Sequence, residues 1–258
     1  MSNDTYWKKF LGIPKYKIQW YARYYLYKLF GITFEKLKDQ KDYWNTRGKE
    51  YFSEIIESGH IQYERFFQDM LVEELKTLEF NSFFEAGCGF GWNVKRVKQE
   101  FSHVSIGGLD FSFPQLFNSR KYLPTIEMPV VQGDACCMPY KDNAFDIGFT
   151  LGVYMNIHPD LIDLAVDEMI RISNKYIIHL EWDMENTTHE LREKRIFKTN
   201  IISHDYRKLY TNRGKKILTF RTYNDFKDDF TKKYNETKVT TWEQFEGPEK
   251  YIFIVVKA

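Results

Sequence analysis

A chain of 258 residues can bury one good hydrophobic core, which leaves little room for a second full domain. Its 37 Lys and Arg balance 36 Asp and Glu to a formal net charge of +1, so no overall field points to nucleic acid, and with aromatic residues at 18% any binding surface has to be local. Cys88, Cys136 and Cys137 are odd in number and lack CxxC spacing, which argues against a disulfide framework and a zinc site; without an apolar run of about 18 residues or a signal-peptide pattern, a soluble or peripheral protein of the cytoplasm is expected.

Residues 1–30 interleave Trp7, Trp20, Tyr21, Tyr24, Tyr25, Tyr27 and Phe30 with Lys8, Lys9, Lys15, Lys17, Arg23 and Lys28, opposed only by Asp4, for a net charge of +5. Such an arm packs as a helix on the core, lies on an anionic membrane surface, covers a site as a lid, or meets a partner or nucleic acid. Gly31 is placed to end its helix. Residues 1–41 are read as this arm and 42–258 as one domain. From Asp42, DYWNTRGKEYF followed by Ile55 and Ile56 has aromatic residues at helical spacing; Ser58-Gly59 interrupts it before a second amphipathic run, Tyr63 to Leu78.

The stretch FFEAGCGFGWNV, Phe83 to Val94, joins the end of a buried strand to the start of a helical apolar pattern, with Gly87, Gly89 and Gly91 at the turn between them. Glycine permits positive φ and removes the Cβ atoms that would hold off a ligand, while the first helical N–H groups point outward. Glu85 would repel a diphosphate and suits a cationic ligand bearing an amino group and hydroxyls. Glu85-Ala86-Gly87-Cys88-Gly89-Phe90-Gly91 resembles the E/D-x-G-x-G-x-G motif of class I S-adenosylmethionine-dependent methyltransferases. The dinucleotide pattern G-x-G-x-x-G fails, because Val94 occupies its last place. The resemblance implies S-adenosylmethionine as cofactor, with Glu85, Ala86, Gly87, Gly89 and Gly91 around it. It also implies that an aromatic residue or arginine of the preceding helices closes over the cofactor's methionine end, for which Tyr43, Trp44 and Arg47 are the candidates by position, ordinary packing being the other reading.

Trp92 to Phe101 reads as a crossover helix and Val104 to Leu109 as the next strand, ending in Asp110, 19 positions beyond Gly91, where a doubly wound fold brings a carboxylate to a ribose diol. Helix capping is the competing use of Asp110. Met128 to Gln132 is a short strand, and Gly133-Asp134-Ala135 with the following MPYKDNAFD resembles the family's GDA…LPF…DNSFD segment, which implies that Asp134 and Ala135 meet the adenine. Phe111 and Leu151 complete the expected cofactor contacts. Cys136 and Cys137 fall at variable positions.

Phe145 to Thr150 is the fourth strand, followed by LGVYMNIHPD and a helix from Leu161 to Ile172. That loop resembles the VL-x-HI-x-P of surface-sugar methyltransferases, except that their histidine aligns with Asn156 and this chain has His158 two positions on. His158 and Glu181, the latter ending the fifth strand KYIIHLE with Trp182 and Asp183 beside it, are the candidate general bases; His179 reads as packing between strand and helix. A helix opens at His204-Asp205-Tyr206. Three strand-like pieces follow, Lys216 to Tyr223, Lys238 to Phe245 and Tyr251 to Val256, the last two arranged as a hairpin about Gly247-Pro248.

The resemblance implies an α/β fold with a doubly wound, seven-stranded, mostly parallel sheet, an antiparallel C-terminal strand and an N-terminal helical extension. It implies transfer of a methyl group to a hydroxyl of a small-molecule or glycan acceptor, lipid-linked if the arm meets a membrane. An amine acceptor on a lipid or small molecule is one alternative. A catalytically silent, cofactor-binding scaffold subunit is another, on the strength of the Asn156 and His158 departure.

Overall fold

The computed structural model describes residues 9–10, 13–32, 40–57, 60–185, 202–237 and 251–258. Two short strands, β1 (Lys9–Phe10) and β2 (Ile13–Pro14), pair antiparallel and lead into α1 (Lys15–Phe30). Gly31 ends that helix as expected, with φ at 67° and its N–H donated to Tyr27 O at 2.8 Å. Next come α2 (Gln40–Glu57) and α3 (His60–Leu75), so the expected boundary between residues 41 and 42 falls inside a helix.

Strand and helix then alternate: β3 (Ser82–Ala86), α4 (Trp92–Glu100), β4 (Ser105–Asp110), α5 (Phe113–Tyr122), β5 (Val130–Gln132), β6 (Phe145–Leu151), α6 (Ile162–Ile172) and β7 (Ser173–Trp182). The chain closes with α7 (Tyr206–Thr211), β8 (Lys216–Thr222), α8 (Tyr223–Thr237) and β9 (Tyr251–Lys257). Seven strands form one sheet in the order β5-β4-β3-β6-β7-β9-β8. All neighbours from β5 to β7 pair in parallel, while β9 is antiparallel to both β7 and β8. The two outer pieces of the tail thus take the last two places in the sheet. Instead of closing a hairpin, β9 inserts between β7 and β8. The middle piece, 238–245, lies outside the described residues.

Successive strand residues feed opposite faces, which is why the central strands read as unbroken apolar runs. Phe83, Phe149 and Phe253 pack under α3, α4 and α8 through Phe67, Leu71, Val94, Phe226 and Phe230. On the other face Phe84, Ile177 and Ile254 meet Val166 and Met169 of α6 and Tyr206 and Tyr210 of α7. Among the described residues no helix is long and apolar enough to cross a membrane.

Candidate active site

The site grows from the turn between β3 and α4. Gly87 and Cys88 donate their N–H groups to Leu109 O at 2.6 and 3.0 Å, tying the turn to the end of β4. Gly87, Gly89 and Gly91 all have positive φ, 71°, 52° and 89°. A Cβ at Gly87 would collide with Val153, whereas one at Gly89 would meet nothing nearer than the Gln115 side chain at 3.9 Å. Gly87 is therefore demanded by packing, and Gly89 leaves open space at the mouth of the turn.

Two carboxylates face this space, Glu85 buried and Asp110 half-buried. Glu85 Oε1 accepts from Asn93 Nδ2 at 2.7 Å, and Asn93 Oδ1 in turn accepts from Gln68 Nε2 at 3.0 Å, so α3 and α4 set the angle of the β3 carboxylate. Asp110 accepts from Gly89 N through Oδ2 at 2.9 Å and from Ser112 N through Oδ1 at 2.8 Å. Burial pushes Asp110 up to about 6, with the Ser112 and Gly89 N–H groups pulling the other way.

Around these groups lies a cleft with about 640 Å³ of empty space, part of it open to solvent. Its floor is Glu85, Gly87, Cys88, Gly89 and Asn93, with Asp110, Phe111 and Gln115 on the β4 side and Leu151, Gly152, Val153 and Asn156 on the β6 side. Trp44 and Tyr51 of α2 close it, together with Phe90 and Trp92. Tyr51 stands edge-on to Trp44 at 5.4 Å and 6.3 Å from Trp92, and the Arg47 guanidinium lies 5.3 Å from the Tyr51 ring. Gly48 allows this closure. A Cβ there would lie 2.5 Å from Ser112 Oγ, so α2 rests directly on the start of α5, where Ser112 Oγ also donates to Trp44 O at 3.1 Å.

A small cationic ligand with hydroxyls fits what these residues offer. Gln115 is buried, lines the cleft, and its Oε1 has no hydrogen-bond partner among the described residues, an acceptor left for a bound donor.

Of the residues expected from the sequence, Glu85, Gly87, Gly89, Asp110, Phe111 and Leu151 come together in the cleft. The others have different surroundings. Ala86 is buried in the core beneath the turn, and Gly91 caps α4 and packs toward Leu123 and Met128. Asp134 and Ala135 are not among the lining residues: Asp134 Oδ1 accepts from Cys136 N at 2.9 Å within its own turn, and Ala135 is buried. His158 is also outside the lining, with Nδ1 accepting from Asp160 N at 3.2 Å at the entry to α6. Glu181 is fully buried behind the β6 loop, accepting from Val153 N at 2.9 Å and Met155 N at 3.2 Å. Trp44 lines the cleft, Arg47 stacks beside it, and the Tyr43 side chain lies outside the described residues.

Tyr51, Asn93, Gln115 and Asn156 are among the lining residues that the sequence reading did not place in the site. Tyr51 had a signal, since it follows Trp44 by seven residues and so shares its helix face. Behind the cleft lies a buried polar chain: Thr150 Oγ1 pairs with His179 Nδ1 at 2.6 Å, and His179 Nε2 with the Tyr210 hydroxyl at 2.5 Å. Burial holds His179 down at about 3, which fits its reading as a packed histidine.

The methyltransferase domain family model matches residues 83–175. Over 87 residues the chain is 33% identical to the demethylmenaquinone methyltransferase of Staphylococcus aureus (strain MRSA252), a match covering 33% of this chain and 35% of that protein. The chain thus spans about a third of the length of the curated relative it matches. Among solved structures, the magnesium protoporphyrin IX methyltransferase of Synechocystis PCC 6803, with bound S-adenosylmethionine, superposes with a TM-score of 0.59 at 13% identity, over 87% of this chain and 98% of that one. The [4+2]-cyclase SpnF superposes at 0.55 and 18% identity, over 74% and 79%. At such identities the likeness establishes the fold alone, and the cyclase is a reminder that one fold hosts several chemistries. The sheet order and the glycine turn with its two carboxylates are thus those of the class I methyltransferase fold, and residues 83–175 match a methyltransferase domain.

Proposed function

We propose that this chain is a methyltransferase that transfers the methyl group of S-adenosylmethionine to a hydroxyl of a small-molecule or glycan acceptor. The observation that carries this reading is the convergence of Glu85, Gly89 and Asp110 on one cleft that Trp44, Tyr51 and Trp92 also line. When bound, S-adenosylmethionine supplies a methyl group on a sulfonium sulfur, a leaving group that needs no further activation.

The chain's own part is binding, orientation and exclusion of water. Asp110, already fixed by Gly89 N and Ser112 N, retains lone pairs for a ribose diol, and Phe111 and Leu151 supply apolar contacts on either side. Glu85, angled by Asn93, suits the cationic end of the ligand. Trp44 and Tyr51 shield the reacting centre and offer ring faces to a sugar. Asn156, whose Nδ2 donates to Gly152 O at 2.9 Å, keeps its carbonyl oxygen as an acceptor for a hydroxyl. Positioning of two reactants at roughly 3 to 3.5 Å accounts for much of such a barrier reduction.

Calorimetry with S-adenosylmethionine and S-adenosylhomocysteine, on the wild type and Asp110→Ala, tests the donor half, followed by a turnover screen of sugars, hydroxylated small molecules, amines and demethylmenaquinone. Binding should weaken at least about tenfold in the variant, roughly the loss of one charge-assisted hydrogen-bonding group. Turnover confined to an amine or to demethylmenaquinone would overturn the acceptor and leave the donor standing. Absence of both binding and turnover in the folded wild type would remove the enzyme reading altogether and favour a scaffold.

A further inference from the structure

We propose that the exposed face of α1 is a docking surface for an anionic lipid bilayer. A helix on the surface of a globular protein normally turns its apolar stripe inward and its polar side to water. This helix also turns apolar side chains outward. Among its described side chains Tyr24 is buried, at 5% exposure, while Ile18, Tyr21, Tyr25 and Leu29, spaced by three, four and four residues, are 38%, 47%, 52% and 69% exposed. That spacing places all four on one side of the helix, in a stripe about 16 Å long at 1.5 Å per residue. Leu26 and Phe30 broaden it, Phe30 at 70% exposure, and Ile32 extends it past the Gly31 turn.

Charge selects the occupant. Within Lys15–Phe30 there are four cations, Lys15, Lys17, Arg23 and Lys28, and no acidic residue. Lys28 is exposed, with its ammonium 3.3 Å from the Tyr24 hydroxyl, which sets one positive charge on the flank between the buried side and the stripe. Residues 1–30 carry +5 of a whole-chain net charge of +1, leaving −4 on the remainder, so the positive charge of the sequence is concentrated in this arm. An anionic bilayer offers both things the face asks for, an apolar layer for Leu29 and Phe30 and a negative headgroup plane for the cations, while tyrosines sit well at the boundary between them. The two signals act together, as stable peripheral attachment requires.

The test is flotation of the full chain with phosphatidylglycerol–phosphatidylcholine vesicles and with phosphatidylcholine vesicles alone, at low and high salt, for the wild type and the double variant Leu29→Glu/Phe30→Glu. Both substituted positions are exposed, and circular dichroism with a thermal melt checks that the variant folds. The expected result is flotation on the anionic vesicles, weakened by salt, and at least about tenfold lower for the double variant, since two apolar anchors are lost and two negative charges gained. Wild-type protein that stays at the bottom with anionic vesicles overturns the proposal, as does a folded double variant that floats equally well. A wild-type dimer in sedimentation that the double variant dissolves, without flotation, assigns the stripe to self-association and overturns it too.

Discussion

The Glu181 carboxylate accepts from Val153 N at 2.9 Å and from Met155 N at 3.2 Å, so a fully buried acid at the end of β7 holds the loop that follows β6. Gly152, Val153 and Asn156 of that loop line the cleft. Glu181→Gln replaces one acceptor by a donor that faces a backbone N–H. Below pH 4.5, where the wild-type contribution is greatest, it is expected to lower stability by about 1 to 3 kcal/mol and to weaken cofactor binding with it. Thermal melts and calorimetry on the variant check both.

The same residue should give stability an unusual pH dependence. Burial pushes Glu181 up to about 7 from 4.5, against the hydrogen bonds that favour the carboxylate. Between those values the native state holds a proton that the unfolded chain has released. Its contribution is therefore greatest below 4.5 and declines as pH rises to about 7, by on the order of 3 kcal/mol. The stability difference between wild type and Glu181→Gln, measured by urea unfolding across this window, should shrink with rising pH. A flat difference would mean that the native carboxyl is ionised throughout.

Gly48→Ala tests how α2 is seated. In an isolated helix the change gains about 1 kcal/mol. Here the new Cβ would lie 2.5 Å from Ser112 Oγ and 3.1 Å from Gln115 Cγ, and overpacking of that kind costs about 1 to 3 kcal/mol. The clash should win, lowering the melting temperature and, because Trp44 and Tyr51 ride on the same helix, the affinity for S-adenosylmethionine. A raised melting temperature would show that the two helices have room to spare.

Gln115→Met should separate stability from binding. A buried amide oxygen without a partner costs stability in the ligand-free protein, and a thioether of similar length relieves that cost. The melting temperature without ligand is expected to hold or rise, while cofactor affinity falls by about tenfold, roughly one hydrogen bond. Unchanged affinity would mean that Gln115 has no part in binding.

His179 gives a spectroscopic check on the buried chain behind the cleft. Burial between Thr150 and Tyr210 keeps its imidazole neutral down to about 3. The unfolded chain takes up a proton near 6.5, so this residue's contribution to stability is lost as pH falls from there toward 3. In NMR its ring resonances should not titrate between pH 5 and 8. Titration with a midpoint near 6.5 would place the ring in contact with solvent.

The parts of the site that were legible in the sequence are those dictated locally. A strand running into a glycine turn and a helix, with acids at Glu85 and Asp110, fixes where two carboxylates and a gap must lie, and they are found around one cleft. Asp134 and His158 were harder to place, because short polar side chains beside a turn can satisfy the turn's own N–H groups, and here Cys136 N and Asp160 N claim them. Gln115 reaches the cleft from the start of α5, where α2 rests and Ser112 Oγ donates to Trp44 O, a packing of distant segments. Tyr51 depends on where α2 crosses α5, and the choice of 216–222 as the strand beyond β9 on pairing across the sheet. Neither is a local property.

The place of β9 bears on how the chain is made. Residues 216–222 leave the ribosome well before 251–257, yet among the described residues β8 joins the sheet only through β9. Until then β7 offers an open strand edge carrying Ile177, Ile178 and Leu180, all wholly buried once folding is complete. Such an edge can recruit the wrong strand, from a neighbouring nascent chain as readily as from its own. Expression yield should therefore depend on chaperone supply and translation speed over the last segment, and a ribosome stalled before residue 251 would hold a sheet that cannot close.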